Sequence, residues 1–259
     1  MQARTKIAVA GATGRVGRHV IDVLAERGFD AVPMSRSKGV DVITGEGLAE
    51  ALAGVECIID VATGPSPDQA TATEFFTAAA QNLHQAGERA GVKRMVEVSI
   101  IGIDKLTGGY GAAKLAHEQA MLSGPIPVQI LRAAQFHEFV EQLVAWGTQG
   151  DVAYVQRMRI QPVAARTVAE ALVDLATAAE SAAADASAGP IPEIAGPQEE
   201  SLVEMAKLFV ASRGIPVRIE GVSDPGFPDR ELHESGGLLP SPHATLAGPT
   251  FEDWLDPAS

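Results

Sequence analysis

The residues best suited to chemistry in this sequence are a tyrosine and a lysine on one predicted helix. Tyr110 and Lys114 are four positions apart in YGAAKLAHE, so near a helix start both side chains project from one face. A phenol has a pKa of about 10 and is a poor acid–base group at neutral pH, and a nearby ammonium lowers that value. The pair predicts a proton donor and acceptor, Tyr110, tuned by Lys114.

Ser99 is the third candidate, and it lies near the C-terminal end of the predicted strand Val92–Ile101. Open parallel sheets bind their ligands at the C-terminal ends of strands. A hydroxyl there is placed to hydrogen-bond a carbonyl or alcohol oxygen of a substrate. A Y-x-x-x-K pair alone occurs by chance in many helices, so the interpretation depends on its position after this strand-end serine, in a chain that begins with a glycine turn.

The first element that must position these residues is the stretch 6–20, KIAVAGATGRVGRHV. A short apolar run breaks at glycines and continues as an apolar pattern of helical spacing, which predicts strand, glycine turn and helix. Gly11 permits the tight turn, Gly14 lets backbone N–H groups approach a diphosphate, and Gly17 lets the helix pack closely on the strand. The helix N-terminus then faces the anion. The predicted nucleotide contacts here are Gly11, Thr13, Gly14, Arg15, Val16 and Gly17.

The cofactor is predicted from the end of the second strand, Phe29–Met34. In this architecture the residue about 20 positions after the glycine turn is acidic when it binds a ribose 2′-hydroxyl, whereas a base tolerates a 2′-phosphate. Here Arg36 offers a planar fork for phosphate, and Ser35 and Ser37 add hydroxyl donors. NADP(H) is therefore favoured over NAD(H). The alternative is that these residues form a solvated basic loop.

The rest of the chain alternates predicted strands and helices. Right-handed crossovers between parallel strands then make an α/β fold with a doubly wound parallel sheet of about seven strands the expected product. The strand at 55–62 ends on small residues that let a cofactor lie against the backbone, namely Ala62, Thr63 and Gly64. The other predicted strands are at 7–10, 29–34, 40–43, 92–101, 128–131 and 191–195.

A length of 259 residues fits one α/β core with a smaller lobe. We expect a nucleotide-binding core at 1–135. The segment 136–259 is expected to return to that core at about 162–195 and otherwise to form a small C-terminal substrate-binding lobe. Gln135 and Phe136, which follow the strand at 128–131, are candidate substrate contacts.

The composition restricts the class of partner. A net charge of −13 argues against nucleic acid and anionic membrane surfaces, since both repel an acidic protein at long range. A small-molecule substrate and a monomer or homodimer are expected. The single cysteine, Cys57, lies in an apolar run, which predicts a core residue and no multi-cysteine metal site. The first strand begins by about residue 6 without a signal-like segment, so a cytoplasmic location is expected.

Several segments together resemble the NmrA-like, atypical branch of the short-chain dehydrogenase/reductase superfamily: GATGRVG, SRSK, VSIIGID, YGAAKLAHE, ILRAAQF and EIAGPQEESL. The resemblance extends to about residue 210. It implies a Rossmann domain that binds NADP at Gly11–Gly17, with Tyr110 and Lys114 in the catalytic positions and Ser99 as the third member. Many relatives in this branch have lost the tyrosine and act as redox-sensing or regulatory binders, so its presence here favours an enzyme.

These observations favour an NADPH-dependent reductase, reversibly a dehydrogenase, of a carbonyl or another polarised double bond in a small molecule. Tyr110 supplies or removes the proton, and Lys114 holds the ribose. Two alternatives remain open. One is an epimerase or dehydratase that uses tightly held NADP on a sugar-type substrate, and the other is a non-catalytic NADP(H) sensor that binds a regulatory protein.

Overall fold

The computed structural model of the chain describes residues 4–178, 189–227 and 229–256. The strands in these ranges are β1 (Lys6–Ala10), β2 (Asp30–Met34), β3 (Val55–Asp60), β4 (Arg94–Ile100), β5 (Val128–Ala133), β6 (Thr148–Gln149), β7 (Val152–Gln156), β8 (Arg159–Ile160), β9 (Glu193–Ala195), β10 (Glu200–Ser201), β11 (Arg218–Val222) and β12 (Thr245–Leu246). The helices are α1 (Gly17–Glu26), α2 (Leu48–Ala51), α3 (Gln69–Ala90), α4 (Gly109–Leu122), α5 (Phe139–Gly147), α6 (Ala165–Thr177), α7 (Leu202–Ser212), α8 (Arg230–Ser235) and α9 (Phe251–Leu255).

The central sheet contains seven parallel strands in the order β12-β9-β5-β4-β3-β1-β2. This confirms the prediction of an α/β fold with a parallel Rossmann sheet of about seven strands. Ala10 at the end of β1 pairs with Met34 of β2 on one side and with Asp60 of β3 on the other. The strand order reverses at β1, and ligands of open α/β sheets bind at such a switch point.

One predicted strand is wrong. Residues 40–43 form a loop, because the Asp41 carboxylate accepts hydrogen bonds from the backbone N–H groups of Ile43, at 2.8 Å, and Thr44, at 3.4 Å. An aspartate that bonds its own downstream backbone closes a turn instead of joining a sheet. The seventh strand of the sheet is instead β12, which the sequence did not predict and which pairs with β9 through only two residues. Two residues are too few to show a periodic pattern in the sequence.

The chain divides into two compact units. The first comprises Met1–Ser99, Gly108–Arg132 and Val168–Pro192, and the second comprises Ile100–Thr107, Ala133–Thr167 and Glu193–Ser259. Residues Ile7 to Ala10 of β1 are fully buried in the first unit, as expected for a parallel strand covered on both faces. The second unit has its own core, in which α5 and α7 pack around Ala153, Met205 and Phe251.

None of the helices in the described ranges combines the length and the apolar character that a bilayer-spanning segment needs.

Candidate cofactor and active site

The glycine turn between β1 and α1 leaves space for backbone only. Gly11 has a φ of +79°, and a Cβ at this position would come within 2.7 Å of the Cα of Ala62. The N–H groups of Gly11 and Ala12 donate to the carbonyl oxygen of Met34 at 3.1 and 3.2 Å, which ties the turn to the end of β2. A Cβ on Gly17 would collide with the carbonyl oxygen of Gly11. Both glycines are therefore required sterically, as a close turn between strand and helix demands.

A cavity of about 880 Å³ lies at the C-terminal ends of β1, β2 and β3. This volume is in the range of about 300–1,000 Å³ that is usual for small-molecule and cofactor sites. The predicted cofactor residues that line it are Gly11, Thr13, Gly14, Ser35, Arg36, Ser37, Ala62 and Thr63. Five predicted cofactor residues do not line the cavity: Arg15, Val16, Gly17, Gly64 and Lys114.

One wall of the cavity is apolar and was missed by sequence reasoning. It contains Val40, Val42 and Ile43 from the loop that was predicted to be a strand, together with Phe75 of α3. The side-chain amide of Asn82, also on α3, donates to the carbonyl oxygens of Val42 at 2.9 Å and Ile43 at 2.7 Å. These two bonds fix the loop where it faces the cavity. Further lining residues that were not predicted are Met34, Asp41, Val61, Pro65, Thr71, Glu74 and Ala78.

The end of β2 presents a cation to the cavity. Arg36 is exposed, and its guanidinium makes no hydrogen bond or ion pair within the described ranges. The hydroxyls of Ser35 and Ser37 lie 3.0 Å apart beside it. A guanidinium without a protein partner is available for a phosphate, which it binds in a bidentate manner. The glycine cradle and the cavity volume together fit a dinucleotide diphosphate.

Tyr110 lies in the first turn of α4, and its ring packs edge-on against Phe76 of α3 with the centroids 5.8 Å apart. Its hydroxyl makes no hydrogen bond within the described ranges. Burial raises the pKa of Tyr110 to about 12. The sequence predicted a lowered pKa, and this expectation is not met because the neighbouring ammonium faces elsewhere.

Lys114 is buried, and its ammonium has three partners at 2.8 Å: Glu97 Oε1, the carbonyl oxygen of Val98 and His117 Nδ1. The ammonium also lies 4.9 Å from the centroid of the Phe76 ring. Two of the three donors of the ammonium go to the Glu97 carboxylate and the Val98 carbonyl oxygen, and the third goes to His117 Nδ1 only when that nitrogen carries no proton. Lys114 and Tyr110 do start from one helix face, but the lysine side chain enters the interior of the first unit.

Ser99 is buried at the end of β4, one residue after the carbonyl group that Lys114 binds. Its side chain is 3% exposed, and its hydroxyl has no hydrogen-bond partner within the described ranges. An unsatisfied buried hydroxyl is costly, of the order of 1–3 kcal/mol. Such a group is suited to a ligand that supplies the missing bond.

Lys114 belongs to a buried cluster of ionisable side chains from three elements: Asp60 of β3, Glu97 of β4, and Lys114 and His117 of α4. Glu97 Oε1 lies 2.8 Å from His117 Nδ1, and Asp60 Oδ2 lies 3.2 Å from His117 Nε2. Desolvation lowers the pKa of His117, as does the Lys114 ammonium, but the two carboxylates outweigh both, and the pKa is raised. Desolvation raises the pKa of Glu97. Lys114 and His117 together lower it by more than this, so the pKa of Glu97 lies below its ordinary value.

Sequence reasoning missed the other three members of this cluster, although two signals pointed to them. Glu97 is a carboxylate between the apolar residues Val96 and Val98 of a predicted strand, and His117 follows Lys114 by three residues on the same helix face. A buried charge is tolerated only when it is paired. The buried position of Glu97 therefore required a cation, and the helix that packs on its strand supplies Lys114.

The candidate substrate residues Gln135 and Phe136 lie in the second unit. The side-chain oxygen of Gln135 is buried and has no hydrogen-bond partner within the described ranges. Its backbone carbonyl accepts from the N–H of Val163 at 2.9 Å. The ring of Phe136 stacks on that of Phe139, with the centroids 5.6 Å apart. Both residues are thus fixed by neighbours in their own unit.

Comparison with known proteins matches the chain to a family. A family model described as NAD(P)H-binding matches residues 11–179 of the chain. A search of curated proteins finds no match to the sequence.

Solved structures share the fold at low sequence identity. A dTDP-4-dehydrorhamnose reductase from Bacillus anthracis in complex with NADP is 18% identical over 98% of this chain and 97% of that chain, with a TM-score of 0.68. A UDP-glucose 4-epimerase from Thermus thermophilus in complex with NAD is 16% identical over 95% and 91%, with a TM-score of 0.66. A short-chain dehydrogenase/reductase superfamily protein from Agrobacterium tumefaciens with bound NAD is 18% identical over 96% and 94%, with a TM-score of 0.65.

Proposed function

Since this chain belongs to the NAD(P)H-binding family, we propose that it is an oxidoreductase that uses NADP(H) to reduce a carbonyl or another polarised double bond of a small molecule. It shares its fold with a dTDP-4-dehydrorhamnose reductase in complex with NADP, a UDP-glucose 4-epimerase in complex with NAD, and a short-chain dehydrogenase/reductase superfamily protein with bound NAD.

The observation that carries the cofactor preference is the guanidinium of Arg36 at the rim of the cavity, which has no partner among the described residues. A carboxylate at the end of β2 would bind a ribose 2′-hydroxyl and repel a 2′-phosphate, whereas a guanidinium attracts the phosphate. Ser35 and Ser37 add hydroxyl donors on either side. We therefore assign the 2′-phosphate of the cofactor to these three residues.

We assign to Tyr110 the role of proton donor to the substrate. With a pKa of about 12 the Tyr110 phenol holds its proton at neutral pH, but it is a weaker acid than an exposed phenol, so donation to a carbonyl oxygen requires the bound cofactor or substrate to lower this pKa. The bound cofactor supplies the hydride. Ser99 offers its unpaired hydroxyl to the same substrate oxygen.

Lys114 supports the site from the interior. It donates to the carbonyl oxygen of Val98, the residue before Ser99, so it fixes the strand end that carries this serine. A direct bond from Lys114 to a ribose hydroxyl would require the ammonium to turn away from Glu97, Val98 or His117, which surround it at 2.8 Å. Gln135 and Phe136 remain proposed substrate contacts, supported by the buried side-chain oxygen of Gln135, which has no partner in the described part of the chain.

The cofactor assignment is tested by calorimetric titration of the protein with NADPH and with NADH. NADPH should bind about 10-fold to 100-fold more tightly, since hydrogen bonds to a charged group contribute about 1.5–3 kcal/mol. Arg36→Ala should abolish this difference. Lys38→Ala is the matched control, because Lys38 is a neighbouring exposed base that does not line the cavity, and it should retain the difference. Equal affinities in the wild-type protein would refute the assignment.

The reaction class is tested by following NADPH oxidation with a panel of aldehydes, ketones and activated alkenes. Stoichiometric oxidation supports the reductase. Cofactor that co-purifies with the protein and is regenerated in each cycle on a sugar nucleotide would indicate the epimerase or dehydratase instead. Unequal affinities for NADP and NADPH without turnover on any substrate would indicate a sensor.

A further inference from the structure

The cofactor cavity is connected to the buried ionic cluster through one residue, Asp60. Its Oδ1 accepts a hydrogen bond from the backbone N–H of Ala62 at 3.0 Å, and Ala62 lines the cavity. Its Oδ2 lies 3.2 Å from His117 Nε2. The Asp60 carboxylate therefore contacts the cavity wall with one oxygen and the cluster with the other.

The backbone of Ala62 lies so close to Gly11 that there is little room between them. A Cβ on Gly11 would come within 2.8 Å of the backbone nitrogen of Ala62 and of the carbonyl oxygen of Val61. The backbone after β3 thus lies directly against the glycine turn that is to hold the diphosphate. A small displacement of Ala62 changes the shape of that cradle.

His117 is surrounded by three charged side chains and one aromatic ring. Asp60 faces it from β3, Glu97 from β4 and Lys114 from the preceding turn of α4, while α3 contributes the uncharged ring of Phe76, stacked at 4.6 Å. Neither His117 Nε2 nor Asp60 Oδ2 has an aligned hydrogen bond within the described ranges, so their mutual contact is held by charge.

The charge of the cluster depends on the imidazole. With His117 protonated, two cations balance two carboxylates. With His117 neutral, one negative charge remains uncompensated in the interior, where charges are weakly screened. That excess charge would reside on the Asp60–Glu97 side of the cluster, and Asp60 is hydrogen-bonded to the wall of a cavity proposed to bind a polyanion.

We propose that His117 is a positioning residue for the cofactor site, which in its protonated form holds Asp60 and thereby the backbone of Ala62 in the conformation that accepts the cofactor diphosphate. This inference rests on the proposed binding of NADP(H). It predicts that the cofactor is bound more tightly by the form with a charged imidazole, and that binding takes up protons when His117 is partly neutral.

The expected pH range follows from the directions of the shifts. The pKa of His117 is raised above its ordinary value of 6.5, so NADPH affinity should fall as the pH increases above neutrality through that pKa. Tyr110, at about 12, and Cys57, at about 11, titrate above this range, and the lowered pKa of His84 lies below it. The second ionisation of a phosphate monoester, at about pH 6, also lies below.

The test is the dissociation constant of NADPH between about pH 7 and about pH 9.5 for the wild-type protein, His117→Gln and His84→Gln. The wild-type constant should rise by about threefold to tenfold, as expected for a linked shift of up to about one pKa unit. His117→Gln should show a flat profile and weaker binding at pH 7. His84 is a matched buried histidine whose Nε2 donates to the carbonyl oxygen of Met121, and its variant should follow the wild-type profile.

A second measurement uses the wild-type protein alone, so it is decisive even if His117→Gln does not fold. Calorimetry at about pH 8.5 in two buffers of different ionisation enthalpy should show fractional proton uptake on NADPH binding. Binding without proton uptake and with a flat profile overturns this inference and leaves the proposed function intact. The same slope in His117→Gln as in the wild type also overturns it. Absence of NADPH binding at every pH overturns both.

Discussion

The ammonium of Lys114 lies 2.8 Å from Glu97 Oε1 in the interior of the first unit, and the two side chains are 7% and 0% exposed. The pair joins α4, which carries Tyr110, to β4, which carries Ser99. A residue predicted to face a cofactor is thus the cation of a buried ion pair.

Loss of Glu97 should therefore destabilise the protein strongly. Glu97→Gln leaves the Lys114 ammonium without its charge partner, and breaking one side of a buried pair costs about 3–5 kcal/mol. Glu56→Gln is the control, because Glu56 pairs with Lys93 at 3.2 Å on the surface, where such a pair contributes about 0–1 kcal/mol. Guanidinium chloride unfolding measures both free energies. A cost of less than about 1 kcal/mol for Glu97→Gln would contradict the ion pair.

Removal of the Tyr110 hydroxyl should affect turnover and spare cofactor binding. Tyr110→Phe keeps the ring that packs on Phe76 but removes the proposed proton donor, and general acid catalysis contributes about 10²-fold to 10⁴-fold. We expect kcat to fall by that factor with an unchanged dissociation constant for NADPH. Tyr154→Phe, at the exposed tyrosine of β7, should retain wild-type kcat. Full activity in Tyr110→Phe would remove Tyr110 from the reaction.

Gly11→Ala should damage the cofactor cavity. The added Cβ meets the Cα of Ala62 at 2.7 Å and imposes a φ of +79° on an alanine. Gly28 is a suitable comparison, since its φ is +81° but a Cβ there meets nothing within 4 Å. Gly28→Ala should lower the free energy of unfolding by only about 1–2 kcal/mol, which is the cost of placing an alanine in the left-handed backbone conformation. Gly11→Ala should cost more, and titration should show at least a tenfold loss of NADPH affinity.

The stability of the second unit should decrease in acid because of His137. Burial lowers the pKa of His137 to about 4, and its Nε2 lies 3.2 Å from the carbonyl oxygen of Pro249. In the unfolded chain this imidazole takes up a proton near pH 6.5. The contribution of neutral His137 to the free energy of unfolding is therefore fully present above that pH and is lost as the pH falls towards 4, by up to about 3 kcal/mol. Denaturant midpoints measured from about pH 7.5 to 4.5 should fall less steeply in His137→Gln. Parallel curves for variant and wild type would show that another group is responsible.

Local sequence patterns determined the fold class and much of the cofactor cavity. Gly11, Gly17 and Arg36 are informative because their roles depend on backbone geometry and on a fixed distance along one βαβ unit. The loop at 40–43 was misinterpreted for a related reason. Its alternating apolar residues suit a strand, but the Asp41 carboxylate bonds the downstream backbone and turns the chain towards the cavity.

The direction of the Lys114 side chain was decided only by the tertiary structure. The spacing from Tyr110 to Lys114 places both on one helix face, but α4 packs against strands that carry Glu97 and Asp60, 17 or more residues away in sequence. A buried carboxylate must find a cation or bear the full cost of desolvation, and Lys114 and His117 are the cations that the packing brings within reach. Sequence thus specified which residues share a helix face, and tertiary packing specified which charges they neutralise.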